Sequence, residues 1–246
     1  MADQTVVVGL GEVGRPLCDL IAQAGADVLG IDVTPVRLPA AGSVAVVHIC
    51  IPFEVDDFVG ETARYVDRLQ PELTVINSTV GVGTTRAVHE RTGAPIVHSP
   101  VRGKHARMAE EMTHYDKFIG PIDAEAGALA KRHFESVGMS TRMLSSPEAS
   151  ELAKLTETTY FGVLVAWAQE VERYCDAVGV DYDDVVAIYE EVGYLPPVKF
   201  FPGLIGGHCV MPNIEILKEI VDTPLLEAVR WSNAQKTARE ASRAST

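Results

Sequence analysis

Hydrophobic residues in the first half of the chain come in short unbroken runs, and in the second half they recur every third or fourth position. TVVV, VAVVHICIP, LTVINST and APIVH are continuous apolar stretches bounded by glycine, proline or polar residues, as strands buried on both faces require. Between them, Phe58 to Leu69 and Asp123 to Val137 carry helical spacing, and KFIGP and TRML supply two further short strands. This alternation predicts an α/β architecture: a doubly wound parallel sheet covered by helices on both faces, with ligands at the carboxyl ends of the strands. From Pro147 the period changes to 3.6, and one long helix runs to the stop signal at Gly179, with Ser146, Glu148 and Ser150 around its start. DYDDVVAIYEEVG predicts a second helix capped by Asp181. After an irregular stretch come a helix beginning near Ile214 and another from Thr223 to about Ala241. The expected domains are therefore 1–146, the sheet, and 147–246, a long helix leading into a small all-helical domain.

The first strand runs into a glycine turn, TVVVGLGEVGRP, and then into an apolar helical pattern through Leu17, Leu20 and Ile21. Here Gly9 permits the turn, Gly11 lets a pyrophosphate approach the backbone, and Gly14 lets the helix pack on the strand. With Glu12 and Val13 these form the expected cofactor turn. The second strand, ADVLGID, ends at Asp32, whose carboxylate can hold ribose hydroxyls and would repel a ribose phosphate. The first domain is therefore expected to be Rossmann-like and to bind NAD rather than NADP. Pro52 and Thr79 lie at later strand ends and complete the expected cofactor contacts. Thr84 reads as a helix cap.

Composition narrows the partners. A formal net charge of −13 over 246 residues disfavours nucleic acid and anionic membranes. No apolar run approaches the ~18 residues that span a bilayer. Four cysteines without C-x-x-C spacing suggest neither a disulfide framework nor a metal site, and point to a reducing, cytoplasmic setting. Against the acidic background, SPVRGKHARM gathers Arg102, Lys104, His105 and Arg107 after a strand end, a cluster suited to an anionic small molecule.

The stretch PGLIGGHCVMPN places Cys209 close behind two glycines, where a thiol can attack an electrophilic carbon held against the backbone. On the long helix, Glu151, Lys154, Glu157 and Thr158 fall at three- and four-residue spacings and can converge on one site. GLGEVGRP, STVGVGTT, ELAKLTETTYFGVLVAWAQEVERYC and PGLIGGHCVMPN, in that order, resemble the UDP-glucose/GDP-mannose (UDP-N-acetylmannosamine) dehydrogenase family over nearly the whole chain. That resemblance implies NAD-dependent oxidation of a sugar's primary alcohol, twice, to the carboxylate through a cysteine-bound thiohemiacetal and thioester. It makes Cys209 the nucleophile, Lys154 the group stabilising the oxyanion, and Thr79 a holder of the reacting water.

The chain departs from the family pattern at three positions. Thr158 stands where the family has asparagine, Asn213 where it has aspartate, and Val101 where a glutamate follows the proline. An amide is no general base, so His208 or Glu157 would have to activate water. On this resemblance the chain is also expected to lack the family's third, nucleotide-binding domain. Substrate is then expected to be held by Arg102, Lys104, His105, Lys199, Phe201, Gly206 and His208. These expectations describe a smaller polar or anionic sugar- or nucleoside-like alcohol and a homodimer through the long helix. The alternatives are a two-electron dehydrogenase or NAD-recycling epimerase or lyase without thioester chemistry, or a non-catalytic NAD-binding homologue.

Overall fold

The computed structural model describes residues 4–33, 38–102, 108–193, 201–206, 209–221 and 223–244. It divides into two compact units, Met1–Lys154 and Leu155–Thr246, with the division falling inside the long helix.

The first unit is built on seven strands: β1 (Gln4–Val8), β2 (Val28–Ile31), β3 (Val44–Ile49), β4 (Leu73–Ile76), β5 (Ile96–His98), β6 (Lys117–Pro121) and β7 (Thr141–Met143). They lie in the order β2-β1-β3-β4-β5-β6-β7, and the apolar runs read from the sequence supply its buried central strands. The order reverses between β1 and β3, which places the topological switch point beside the glycine turn. The expected Rossmann-like sheet is thus present, with one correction: β6 pairs antiparallel to β5, so the sheet is mixed. Helices α1 (Gly14–Gln23), α2 (Phe58–Leu69), α3 (Thr84–Thr92), α4 (Met108–His114) and α5 (Ala124–Ser136) complete the connections. The basic stretch is followed by α4, a short helix that the sequence pattern did not announce.

Two apolar clusters cover the two sheet faces. Val7, Val46, Val75 and Val97 pack with Leu17 and Ile21 of α1 and Phe134 of α5, while Val6, Val47, Ile49 and Ile76 pack with Phe58 and Leu69 of α2. The alternation of neighbouring residues between clusters is the period of two that a strand buried on both sides imposes. The long helix α6 (Pro147–Val178) starts against β6, where only glycine fits: a Cβ on Gly120 would stand 2.5 Å from Cβ of Ser150. Its start is capped as expected, Ser146 Oγ accepting from the Ala149 amide at 3.2 Å.

The second unit holds the rest of α6, α7 (Tyr182–Val186), α8 (Val210–Ile220) and α9 (Pro224–Ala244). Asp181 caps α7 by accepting from the amides of Asp183 and Asp184, but the helix tightens into a 3-10 turn at Ala187–Glu190 rather than continuing. The core joins Val165 and Ala166 of α6, Ile205, Val210 and Ile214 of α8, and Leu226 and Val229 of α9. No helix among the described residues is long and apolar enough to cross a membrane.

Candidate active site

The carboxyl edge of the sheet forms a level row. Beyond the strands proper, the amide of Gly9 donates to Ile31 O, Cys50 to Val8 O, Asn77 to Ile49 O and Ser99 to Ile76 O, each at 2.8 Å. Gly9 adopts φ +89°, and a Cβ there would meet Cys50 O at 2.8 Å. A Cβ on Gly14 would lie 1.7 Å from Gly9 O, so the helix starts where no other residue fits. At Gly11 a Cβ would meet nothing within 4 Å. Its lack of a side chain therefore answers no packing need of the chain itself and leaves open space for a ligand.

Val13 is the N-cap of α1 and makes no side-chain cap, and the first turn carries no acid. In the same unit α2 and α5 are each capped by an aspartate, Asp57 and Asp123. Asp32 follows β2 directly, is exposed and accepts from the Val33 amide at 2.9 Å, next to Gly9 across the β1–β2 pair. An open glycine face, an uncapped helix start and a carboxylate at the neighbouring strand end fit the pyrophosphate and ribose of a dinucleotide. Pro52 is exposed and Thr79 half-buried beyond β3 and β4, on the same edge. Between them Ser78 Oγ donates to Ile51 O at 2.6 Å and ties the two loops together.

The substrate side departs more from expectation. Arg102 is half-buried, with its guanidinium carbon 5.4 Å from the Tyr115 ring centroid and 5.2 Å from that of Phe118. Aromatic contact thus holds the group in place and leaves its edge for hydrogen bonding. Lys104, His105, Lys199 and His208 lie outside the described residues. Phe201 is 72% exposed and Gly206 exposed, both in the approach to Cys209.

Among the helical residues expected to converge, Glu151 does something else. It is fully buried, and its carboxylate accepts from Gly83 N at 2.7 Å and Thr85 N at 2.8 Å. It caps α3, the role sequence reading had assigned to Thr84; the N-cap position is Gly83 and no local side chain caps it. Lys154 is half-buried in the first unit, close enough that its charge lowers the pKa values of His98 and Lys117. Thr158, 8% exposed, and the exposed Glu157 belong to the second unit.

Also in the second unit, Cys209 is half-buried and is the N-cap residue of α8, which begins four residues earlier than the sequence pattern suggested. Pro212 sits in its first turn, where a missing amide costs nothing. Asn213, 3% exposed, donates its backbone N–H to Cys209 O at 3.3 Å. The loop before the cysteine is pinned from two helices. Asn233 accepts from Ile205 N at 2.8 Å and donates to Ile205 O at 2.9 Å, and Gln169 donates to Gly203 O at 2.7 Å. Ser232 Oγ completes the network on Gln169 Oε1 at 2.9 Å.

Sequence reading missed these amides, and also a polar seam within the sheet. His98 is buried, accepts from Ser150 Oγ at 2.9 Å and donates to Ser78 O at 3.1 Å; burial pushes its pKa down to about 3, so it stays neutral. Lys117, Asn77, His48 and His133 form a second chain nearby. The one available signal was polar residues standing inside otherwise apolar runs.

This edge defines the class: a Rossmann-like sheet with an open glycine turn, in a chain whose second, helical unit carries a cysteine at a helix start. Residues 148–238 match the model of the UDP-glucose/GDP-mannose dehydrogenase family, central domain. The UDP-N-acetyl-D-mannosamine dehydrogenase of Methanocaldococcus jannaschii is 23% identical over 251 residues, covering 83% of this chain and 58% of that protein. Its namesake from Methanococcus maripaludis (strain DSM 14266) is 26% identical over 250 residues, with the same coverage. The chain thus spans under two thirds of the length of these relatives. Among solved structures, a UDP-D-ManNAc dehydrogenase from Pyrococcus horikoshii superposes with TM-score 0.84 at 21% identity, over 97% of this chain and 70% of that one. The 3-hydroxyisobutyrate dehydrogenase of Mycobacterium tuberculosis reaches 0.73 at 20% identity, over 97% and 94%. The family resemblance is borne out by the model match over residues 148–238 and by the relatives named, as is the fold.

Proposed function

We propose that the chain is an NAD-dependent oxidoreductase acting on the primary alcohol of a polar, anionic sugar substrate of the nucleotide-sugar class. The observation that carries this reading is the open face at Gly11 between an uncapped α1 and Asp32, in a chain whose helical segment matches the central domain of nucleotide-sugar dehydrogenases. NAD supplies the two-electron hydride acceptor. The α1 amides would hold its pyrophosphate, Asp32 the adenosine ribose hydroxyls, and Pro52 and Thr79 would flank it.

In this reading Lys154 stabilises negative charge on the substrate oxygen as hydride leaves carbon, and Cys209 Sγ adds to the resulting aldehyde. A second hydride loss gives the thioester, and water releases the acid and regenerates the thiol. Asn213 and Thr158 line the same helical positions where the family carries other polar residues, and neither can take the proton from water. The exposed Tyr160, Trp167 and Tyr174, spaced seven apart on α6, support self-association through that helix in a cytoplasmic homodimer.

NADH formation on a panel of UDP-sugars and sugar phosphates, with Cys209→Ala alongside wild type, tests the proposal. Two NADH per substrate in wild type, lost in the variant, is the expected result. One NADH per substrate with the variant still active would replace thioester chemistry with a single oxidation.

A further inference from the structure

Among the described residues, Lys117 is a buried cation with no counter-charge. It opens β6, and because β6 runs antiparallel to β5 its side chain lies at the carboxyl end of β5, the ligand edge of the sheet. The residue is 5% exposed. Its ammonium donates to Ser99 O at 2.7 Å, Pro100 O at 3.1 Å and Asn77 Oδ1 at 3.3 Å, and lies 5.3 Å from the Phe134 ring centroid. All of these partners are neutral, and Lys117 makes no ion pair among the described residues.

The titratable groups around it do not supply an anion. Cys50 faces it from the end of β3, but burial pushes that thiol up to about 12 and leaves it protonated. His48 on β3, His98 on β5 and His133 on α5 are all held neutral by burial, and Lys154 on α6 adds a like charge. A buried ion whose partners are all neutral is costly to retain, so its position calls for a use.

The cation also orders its surroundings. An ammonium only donates, so Asn77 must turn Oδ1 toward it and Nδ2 toward His48 Nδ1, 3.0 Å away. His48 then carries its proton on Nε2 and donates to His133 Nε2 at 2.8 Å. One charge thereby sets the direction of the hydrogen bonds that run from the carboxyl edge of the sheet through Asn77 and His48 to His133 on α5.

We propose that Lys117 is a positioning residue for the substrate side of the sheet's carboxyl edge: its ammonium clamps the carbonyls of Ser99 and Pro100 and so fixes the backbone that delivers Val101 and Arg102. The substrate part of this statement rests on the dehydrogenase reading above. The clamp needs the proton. Three N–H groups meet three acceptors, whereas a neutral amine has two N–H groups and a lone pair that repels the third. Burial, reinforced by Lys154, lowers the Lys117 pKa from 10.5 to about 7, so the clamp is closed below neutrality and released above it. The accompanying stability change has the opposite sign: burying the charge costs most below about pH 7, and the cost is relieved as pH rises toward 10.5, where the unfolded chain also loses its proton.

Hydrogen exchange in the free protein tests the clamp without requiring activity. The readout is the amides of Ser99 and Val101, corrected for intrinsic rates, at about pH 6 and about pH 8.5. Protection in wild type is expected to fall about tenfold between the two, the equivalent of one charge-assisted hydrogen bond. Lys117→Met should show the lower protection at both, set by the remaining Ser99 N to Ile76 O bond, and Lys117→Arg, permanently charged, the higher protection at both. Equal protection in wild type at the two pH values overturns the proposal, and that pair decides the matter even if the arginine variant does not fold. In turnover, Lys117→Met should raise the KM for sugar about tenfold and leave the KM for NAD unchanged. A protein that shows the exchange switch but oxidises no sugar overturns the dehydrogenase reading and leaves the clamp standing. Full sugar affinity in Lys117→Met does the reverse.

Discussion

Glu151 on α6 accepts a hydrogen bond from the amide of Thr85 on α3, 66 residues earlier in the chain, at 2.8 Å. Its other oxygen takes the Gly83 amide, so one buried carboxylate satisfies two of the donors that α3 leaves open, and its negative charge faces the positive end of that helix. Burial pushes the Glu151 carboxyl up, and the bonds to Thr85 and Gly83 oppose that shift. Glu151→Gln keeps one acceptor and turns an N–H against the second amide. It should lower stability by about 2 kcal/mol in urea denaturation, with no change in m. An unchanged midpoint would mean that α3 is held by its packing alone.

The glycine turn separates folding from binding. Gly14→Ala drives a methyl into Gly9 O and should lower stability by more than about 3 kcal/mol, because the clash is with backbone that cannot move aside. Gly11→Ala meets only open space, so its melting temperature should stay within about 2 °C of wild type. Its NAD affinity, measured by calorimetry, should nevertheless fall at least about tenfold, since the methyl occupies the ground where the pyrophosphate must approach. If NAD binds Gly11→Ala as tightly as wild type, the dinucleotide does not lie over that residue.

Asn233 makes both the donor and acceptor bonds of Ile205, four residues before Cys209. Asn233→Leu leaves a buried amide and carbonyl without partners, a loss of about 2–4 kcal/mol. Asn233→Asp keeps the acceptor for the Ile205 amide but sets a carboxylate against the carbonyl. If the network serves the cysteine, kcat in Asn233→Asp should drop about tenfold while the KM for NAD is retained, and the rate of Cys209 alkylation should change in parallel. An altered melting temperature with unaltered kcat and alkylation would assign Asn233 to packing only.

Most of the sheet was legible because its evidence is repetitive. Val44–Ile49 and Leu73–Ile76 are apolar but for His48 and Thr74, and Phe58–Leu69 begins and ends where the pattern says it should. Errors arose where local signals conflict with position. KFIGP has nothing in its composition to reveal an antiparallel direction, and the helix expected near Ile214 starts at Val210, with Pro212 in a first turn that tolerates it. Glu151 and Lys154 share a helical face in sequence, yet Glu151 is claimed by α3, a partner that spacing along α6 cannot disclose.

Taken alone, the sequence determined the strands, the long helix, the Gly9–Gly14 turn with Asp32, and the cysteine loop, because burial period and backbone restriction are properties of neighbouring residues. Only the tertiary structure decided which of the polar residues act as caps, clamps or pins. Glu151 meets Thr85, Lys117 meets Ser99 and Asn77, and Gln169 meets Gly203 across gaps of many residues, where pairing depends on how faces dock. A buried donor must find an acceptor wherever packing brings one, and that choice is made in three dimensions.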